Sequence, residues 1–200
     1  MYLEKNNYFF TKLLSTKKQT NKVFSKMNLF FLDIDPKKCA EYHCDKHVVK
    51  MILEITQMLY TAHHLLNSKN LPVDHYKKIS THNHPTAIWI RSSNENYSYA
   101  GEIAMELSKE YTFRYKKVHS CDKHLLFLIN NIPENIPITG LTVPPMCMPE
   151  DSKLPINGIE SVIKSYRRYY IIHKRYFAKW TYRPIPKWFK VINIYLINNI

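Results

Sequence analysis

The densest group of reactive side chains is His43, Asp45, His47, Lys50 and Glu54, all within the stretch DPKKCAEYHCDKHVVKMILEITQMLYTAHHLL at residues 35–66. At about 100° per residue, His43, His47, Lys50, Glu54, Gln57 and Thr61 fall at alternating steps of four and three, with Lys46 and His64 at the edge of the line. Three chemistries fit this set. The first is a metal-free acid and base pair: His43 or His47 carries a proton, Lys46 or Lys50 holds an anion, and Glu54 or Asp45 orients the imidazole. The second is a metal-dependent hydrolase, in which His43 and His47 at i, i+4 grip an ion completed by Asp45, His82, His84 or Glu54; Cys44 stands where the HExxH pattern of metalloproteases has Glu. In the third, the row only binds a nucleotide or backbone phosphate. A lone histidine commonly satisfies a buried carbonyl, but a row of polar groups needs a reason, so the pattern predicts a cleft. The leading expectation is the metal-free set, with no cofactor.

Positioning this row requires a helix. Pro36 suits a first helical position, Asp35 can cap it, and no Gly or Pro interrupts the following residues, so one helix is expected over 35–66. Cys44, Val48, Met51, Ile55, Met58, Leu59, Ala62 and Leu66 form an apolar stripe, and Val49, Leu53 and Tyr60 a second. The helix should therefore be covered on most of its circumference.

Elsewhere, residues 28–34 (NLFFLDI) predict one short strand or an extended lead burying Leu29, Phe31 or Leu32. Asn83 or His84 can cap a helix that Pro85 opens and that runs to about Arg91. Ser92 and Glu95 have capping-box spacing for another, to about Lys117, with Glu110 and Arg114 able to turn toward the cleft. A short helix follows at 122–131. Residues 132–155 hold six of the eleven prolines and predict an ordered irregular loop; a last helix is expected at 158–179.

The chain carries 29 Lys and Arg against 16 Asp and Glu, a net charge of +13, which favours a polyanionic partner. Between Asn157 and Lys190 only Glu160 opposes nine basic residues, interleaved with Tyr169, Tyr170, Tyr176, Trp180, Tyr182 and Trp188, the mixture that contacts phosphates while stacking on bases. The candidate nucleic-acid contacts are Lys46, His84, Arg91, Arg114, Arg167, Arg168, Lys174, Arg175, Lys179 and Arg183. Cys39, Cys44, Cys121 and Cys147 form no CxxC pair and read as reduced thiols inside a cell. No apolar window is long enough to span a membrane. Length and composition fit a single, mainly α-helical domain over 27–190, after a basic flexible arm at 1–26 and before a tail at 191–200.

The run Tyr42-His43-Cys44-Asp45-Lys46-His47-Val48-Val49-Lys50-Met51 with Glu54 and Gln57, then Asn83-His84-Pro85 and Trp89, then Glu110-Tyr111-Thr112-Phe113-Arg114-Tyr115 with His119, then Tyr176-Phe177-Ala178-Lys179-Trp180 and Arg183-Pro184-Ile185-Pro186-Trp188-Phe189 resembles a family of tailed-phage and large-DNA-virus proteins that has no established activity. It implies a viral origin, a start at Met27, and a place in the cytoplasm or nucleus of an infected cell. More distantly, Ala40-Glu41-Tyr42, the His-Pro turn before a long second helix and the aromatic basic C-terminal region are similar to pyrimidine-dimer DNA glycosylases of the endonuclease V type. Those are small, helical, metal-free enzymes that use an N-terminal amine and a helix-borne Glu. On that register the catalytic Glu falls at Cys44, with Asp45 or Glu54 as nearby substitutes, and the amine would require a chain beginning just after Met27. The similarity therefore implies the α fold and DNA-base chemistry, and not the lyase mechanism. The expectation is a viral DNA- or nucleotide-processing enzyme, possible rivals being a non-catalytic nucleic-acid-binding protein and the metal-dependent hydrolase.

Overall fold

Asp35 and Pro36 open a helix as their chemistry dictates: the Asp35 carboxylate accepts the Lys38 amide at 3.0 Å, and proline supplies a helical φ without needing a hydrogen bond. In the computed structural model, which describes residues 28–190, that helix is α1 (Pro36–Tyr42), and a separate α2 (Asp45–Leu65) follows it. The single helix expected over 35–66 is thus corrected to two, parted at His43 and Cys44, which are both extended.

Tertiary donors cause the break. The Arg114 guanidinium donates to the carbonyls of Glu41 and His43, each at 3.0 Å, and the Trp180 indole donates to that of Tyr42 at 3.0 Å. These carbonyls are satisfied from outside, while the Asp45 amide turns to the Lys179 carbonyl at 2.8 Å. No local residue signals the interruption, because the groups that cause it lie some seventy or more positions away.

The remaining helices are α3 (Pro85–Arg91), α4 (Asn94–Tyr115), α5 (Asp122–Asn130), α6 (Gly158–Tyr169) and α7 (Lys187–Lys190). Among the described residues the fold is mainly α with no strand, and no helix is long and apolar enough to cross a membrane. Residues 28–34 take the extended alternative: Leu29, Phe30, Phe31 and Leu32 are buried, and Phe31 packs against Trp89 of α3, Tyr99 of α4 and Tyr166 of α6. Burying such side chains contributes about 1.5–3 kcal/mol each, so this lead is part of the core. The apolar stripe of α2 is buried from Cys44 to Ala62, but the second strip is corrected: Val49 and Leu53 are 39% and 38% exposed, and only Tyr60 is covered. The expectations for 1–26 and 191–200 lie outside the described residues.

Ser93, rather than Ser92, caps α4, accepting the Glu95 amide. The proline-rich loop is fastened to that helix end through buried Asn96, whose Nδ2 donates to the Trp89 carbonyl (3.0 Å) and Thr142 hydroxyl (2.8 Å) while its Oδ1 accepts the Thr142 amide (2.9 Å). Asn96→Ala strands several buried partners and is expected to cost about 1–3 kcal/mol in urea unfolding. An unchanged midpoint would show that water replaces the amide without penalty. The last helix is shorter than expected: α6 ends at Tyr169 and widens into a π turn, Tyr170–Lys174, which sets Tyr170 fully inside the core.

Candidate functional site

The polar row does not line one open cleft; it divides into three parts. At its start, His43 is buried, with Nδ1 donating to the Cys39 carbonyl at 2.7 Å and Nε2 enclosed without a partner among the described residues. His47 stacks on Phe30, with ring centroids 4.4 Å apart, meets Phe177 edge-on, and pairs its Nδ1 with the Tyr170 hydroxyl at 2.5 Å. Burial drives His43 down to about 4, and burial followed by the charges of His43, Lys174 and Lys50 drives His47 well below its ordinary value. At the far end, Thr61 accepts the Ile79 amide and His64 bonds the Tyr76 carbonyl, so residues 76–79 close over that part.

The middle keeps its chemistry. Glu54 is 5% exposed, yet it holds the Lys50 ammonium at 3.0 Å through Oε1 and accepts the Asn28 main-chain amide at 2.8 Å through Oε2. Burial raises its pKa against the lowering by Lys50 and Asn28, so this acid holds a proton more readily than a surface glutamate. Lys50 itself is solvent-exposed. Asn28 continues the connection: its Nδ2 donates to the Cys147 carbonyl at 3.0 Å, and the Cys147 thiol meets the Thr86 hydroxyl at 3.4 Å. Thr86 in turn gives its amide to Nδ1 of His84, the cap of α3. The hydrogen bonding thus links His84 to Glu54 through residues with no sequence signal for a shared site.

Asp45 and Arg114 belong elsewhere. Asp45 accepts Arg114 Nη1 at 2.8 Å and both the amide and hydroxyl of Thr181, and Arg114 also binds Glu110 at 2.6 Å. Arg183 grips the other side of Glu110 at 2.8 Å. This network fixes the α1–α2 break to α4 and to the C-terminal segment, with Asp45 accepting from both Arg114 and Thr181. Asp45, expected among the catalytic residues, thus sits in the joint between the α1–α2 break and the C-terminal segment.

All six arginines hold protein acceptors. Arg91 binds the His82 carbonyl, Arg167 the Leu32 carbonyl and Asp33 carboxylate, Arg168 the Asp151 carbonyl, and Arg175 the Phe189 carbonyl. Lysines instead carry the outward charge near the site: Lys46 lies over the Phe177 ring at 5.1 Å, Lys174 over Tyr169 at 4.6 Å, and Lys179 is exposed. Sequence reasoning missed Asn28, Cys147 and Tyr170 as neighbours of the reactive set; only Tyr170 had a signal, as an inward aromatic of the last helix. Among the described residues, no three His, Cys, Asp or Glu side chains gather where they could hold a metal.

The buried histidines give the fold an acid limit. His43 and His63 both lie near 4 when folded and near 6.5 when unfolded, so below pH 6.5 the unfolded chain binds more protons. Their contribution is complete above 6.5 and lost as pH falls toward 4, at most roughly 3 kcal/mol for each; His47 acts in the same direction. Glu54, with its raised pKa, acts oppositely: its contribution is complete below 4.5 and fades as pH rises through the folded value. Urea midpoints measured at pH 7, 6 and 5 should therefore fall with acidity, and His63→Gln should flatten the slope. A level profile would mean that these imidazoles are protonated equally in both states.

Comparison with family profiles, with curated proteins and with solved structures finds no match to this chain.

Proposed function

We propose that this chain is a viral DNA- or nucleotide-processing enzyme with a glycosylase- or lyase-like activity on nucleic-acid bases, working inside the infected cell in its cytoplasm or nucleus. The observation that carries the reading is the Lys50–Glu54 pair: a primary amine at the surface, 3.0 Å from a carboxyl group whose burial raises its proton affinity. Glu54 is placed to accept a proton from Lys50 as the nitrogen attacks, and the amine so released is a nucleophile toward the sugar C1′ of a nucleotide. As the C1′–nitrogen bond to the base breaks and the C1′–Nζ bond forms, Glu54 returns the proton to the departing base. Glu54, now ionised, takes a second proton from the amine and passes it to O4′ as the C1′–O4′ bond opens, giving a 4′-hydroxyl and a protonated C1′–Nζ imine. The surrounding Lys46, Lys174 and Lys179, with Phe177 and Tyr169, provide attraction for the backbone and apolar surface for bases.

The test is reductive trapping. The full chain is incubated with duplexes carrying an abasic site, ultraviolet photoproducts, or alkylated or deaminated bases, in the presence of borohydride. A covalent protein–DNA adduct on at least one substrate is expected, and an abasic site needs no prior base release. No adduct at the abasic site and no released base from any duplex would overturn the reading. A second reading, binding without chemistry, is favoured by the exposed aromatic and basic surface near the site, where Tyr176 is 87% exposed beside Phe177. It predicts salt-dependent affinity with no trapped product.

A further inference from the structure

Among the described residues, four that are not glycine hold a positive φ. Asn67 and Asn70 are of a type that tolerates it; Lys116 at +55° and Tyr182 at +59° are not. These two, distant in the chain, meet at the surface. The Lys116 ammonium lies 5.5 Å from the centre of the Tyr182 ring and 5.0 Å from that of Phe113, and the Arg183 guanidinium covers Phe113 at 4.3 Å. Tyr182 is 69% exposed, and among the described residues no other ring or cation stacks on it.

That exposed ring is firmly mounted. Thr181 gives its amide and hydroxyl to Asp45 at 2.9 and 2.8 Å, and Arg183 holds Glu110 at 2.8 Å and Glu41 at 3.4 Å, so both chain neighbours of Tyr182 are fixed. Lys116 is the C-cap of α4, a place that glycine or asparagine fills with less backbone strain. The fold thus keeps two unfavourable backbone conformations at one spot and leaves a large ring in water that a core would have buried. The spot is also cationic. No Asp or Glu follows Glu160 in the sequence, and the acids that adjoin the patch through Thr181 and Arg183, namely Glu41, Asp45 and Glu110, are bound by Arg114, Arg183 or Thr181. Lys116 and its exposed neighbour Lys117 therefore set the sign of the field beside the ring.

We propose that Tyr182 and Lys116 form a docking point for single-stranded DNA: an unpaired base lies on the open face of the Tyr182 ring, and the Lys116 ammonium takes the adjoining phosphate. A base inside a duplex has both faces stacked on its neighbours and shows only its edges, which a lone surface ring cannot use. An unpaired base offers a face, and any base will do. Lysine suits the phosphate because its compact charge on a flexible stem imposes no fixed geometry on the strand. The proposal rests on the DNA reading of the function and deepens it by naming the form of DNA held, while using none of the chemistry at Lys50 and Glu54.

Fluorescence anisotropy of the full chain with a short labelled oligothymidylate, and with an undamaged duplex, tests the assignment. Tyr182→Asn removes the ring and keeps a residue that tolerates the backbone; it should weaken oligothymidylate binding about 5- to 100-fold and change duplex binding less than about 2-fold. Tyr182→Phe should bind as the wild type does, since the ring and not the hydroxyl is used. Lys116→Gly, which suits the +55° backbone, should lower the salt slope of oligothymidylate binding by about 0.7. Should Tyr182→Asn fail to fold by circular dichroism, Tyr182→Phe and Lys116→Gly still decide. Absent oligothymidylate binding, equal losses on single strand and duplex, wild-type affinity in Tyr182→Asn, weakened binding in Tyr182→Phe or an unchanged slope in Lys116→Gly each overturns the proposal. Tighter binding of oligouridylate than of oligothymidylate would make the ligand RNA and overturn the DNA assignment. These measurements use undamaged strands and read no turnover, so they succeed or fail independently of adduct trapping.

Discussion

Glu54→Gln is expected to lower the yield of borohydride-trapped adduct at an abasic site by about 10²–10⁴-fold, and Lys50→Arg to abolish it. Glutamine keeps the size of the side chain and an oxygen to accept the Asn28 amide, but it cannot take a proton from Lys50. Arginine keeps the charge but is never a neutral amine at working pH. Stability should change little in either variant, because the Lys50 end of the pair is in solvent and such pairs contribute about 0–1 kcal/mol. The informative comparison is therefore adduct yield at equal urea midpoint. A Glu54→Gln protein that still traps at the wild-type rate would remove the carboxyl from the chemistry and leave Lys50 as a chance surface amine.

Arg114→Met is expected to be the most damaging single change to the fold, lowering the unfolding free energy by about 3–5 kcal/mol. The Arg114 side chain is fully buried and makes charge-assisted bonds to Glu110 and Asp45 as well as to the Glu41 and His43 carbonyls. Methionine fills much of the volume but leaves Glu110 with Arg183 alone and the end of α1 without its donors. The C-terminal segment should loosen at the same time, since Asp45 is its anchor through Thr181, and the segment should become sensitive to limited proteolysis. Urea unfolding gives the magnitude. A loss below about 1 kcal/mol would mean that water enters and satisfies these groups, so that the network is not a stabilising joint.

The helix starts were readable because they are local. Asp35 before Pro36 and His84 before Pro85 each cap a helix where expected, and the burial of Cys44, Val48, Met51 and Ile55 follows from a repeat visible in any window of the chain. The break after Tyr42 was not readable. Nothing between Asp35 and Leu66 disfavours a continuous helix, and the donors that end it come from Arg114 and Trp180. The exposure of Val49 and Leu53 escaped for a related reason, since an apolar strip on a helix shows only that it could be covered and not that another element reaches it.

The same division holds for the site. By itself the sequence determined that His43, His47, Lys50 and Glu54 share a side of one region, that the chain is basic, and that its class is mainly α, because periodicity, charge and capping act over a few residues. Which members of that row are enclosed and which reach solvent was decided only by tertiary structure. Phe30 and Tyr170 close over the histidines, residues 76–79 cover His64, and Asn28 arrives from outside the helix to hold Glu54 beside Lys50. Those contacts join positions far apart in the chain, and the burial that sets the proton affinity of Glu54 exists only once they have formed.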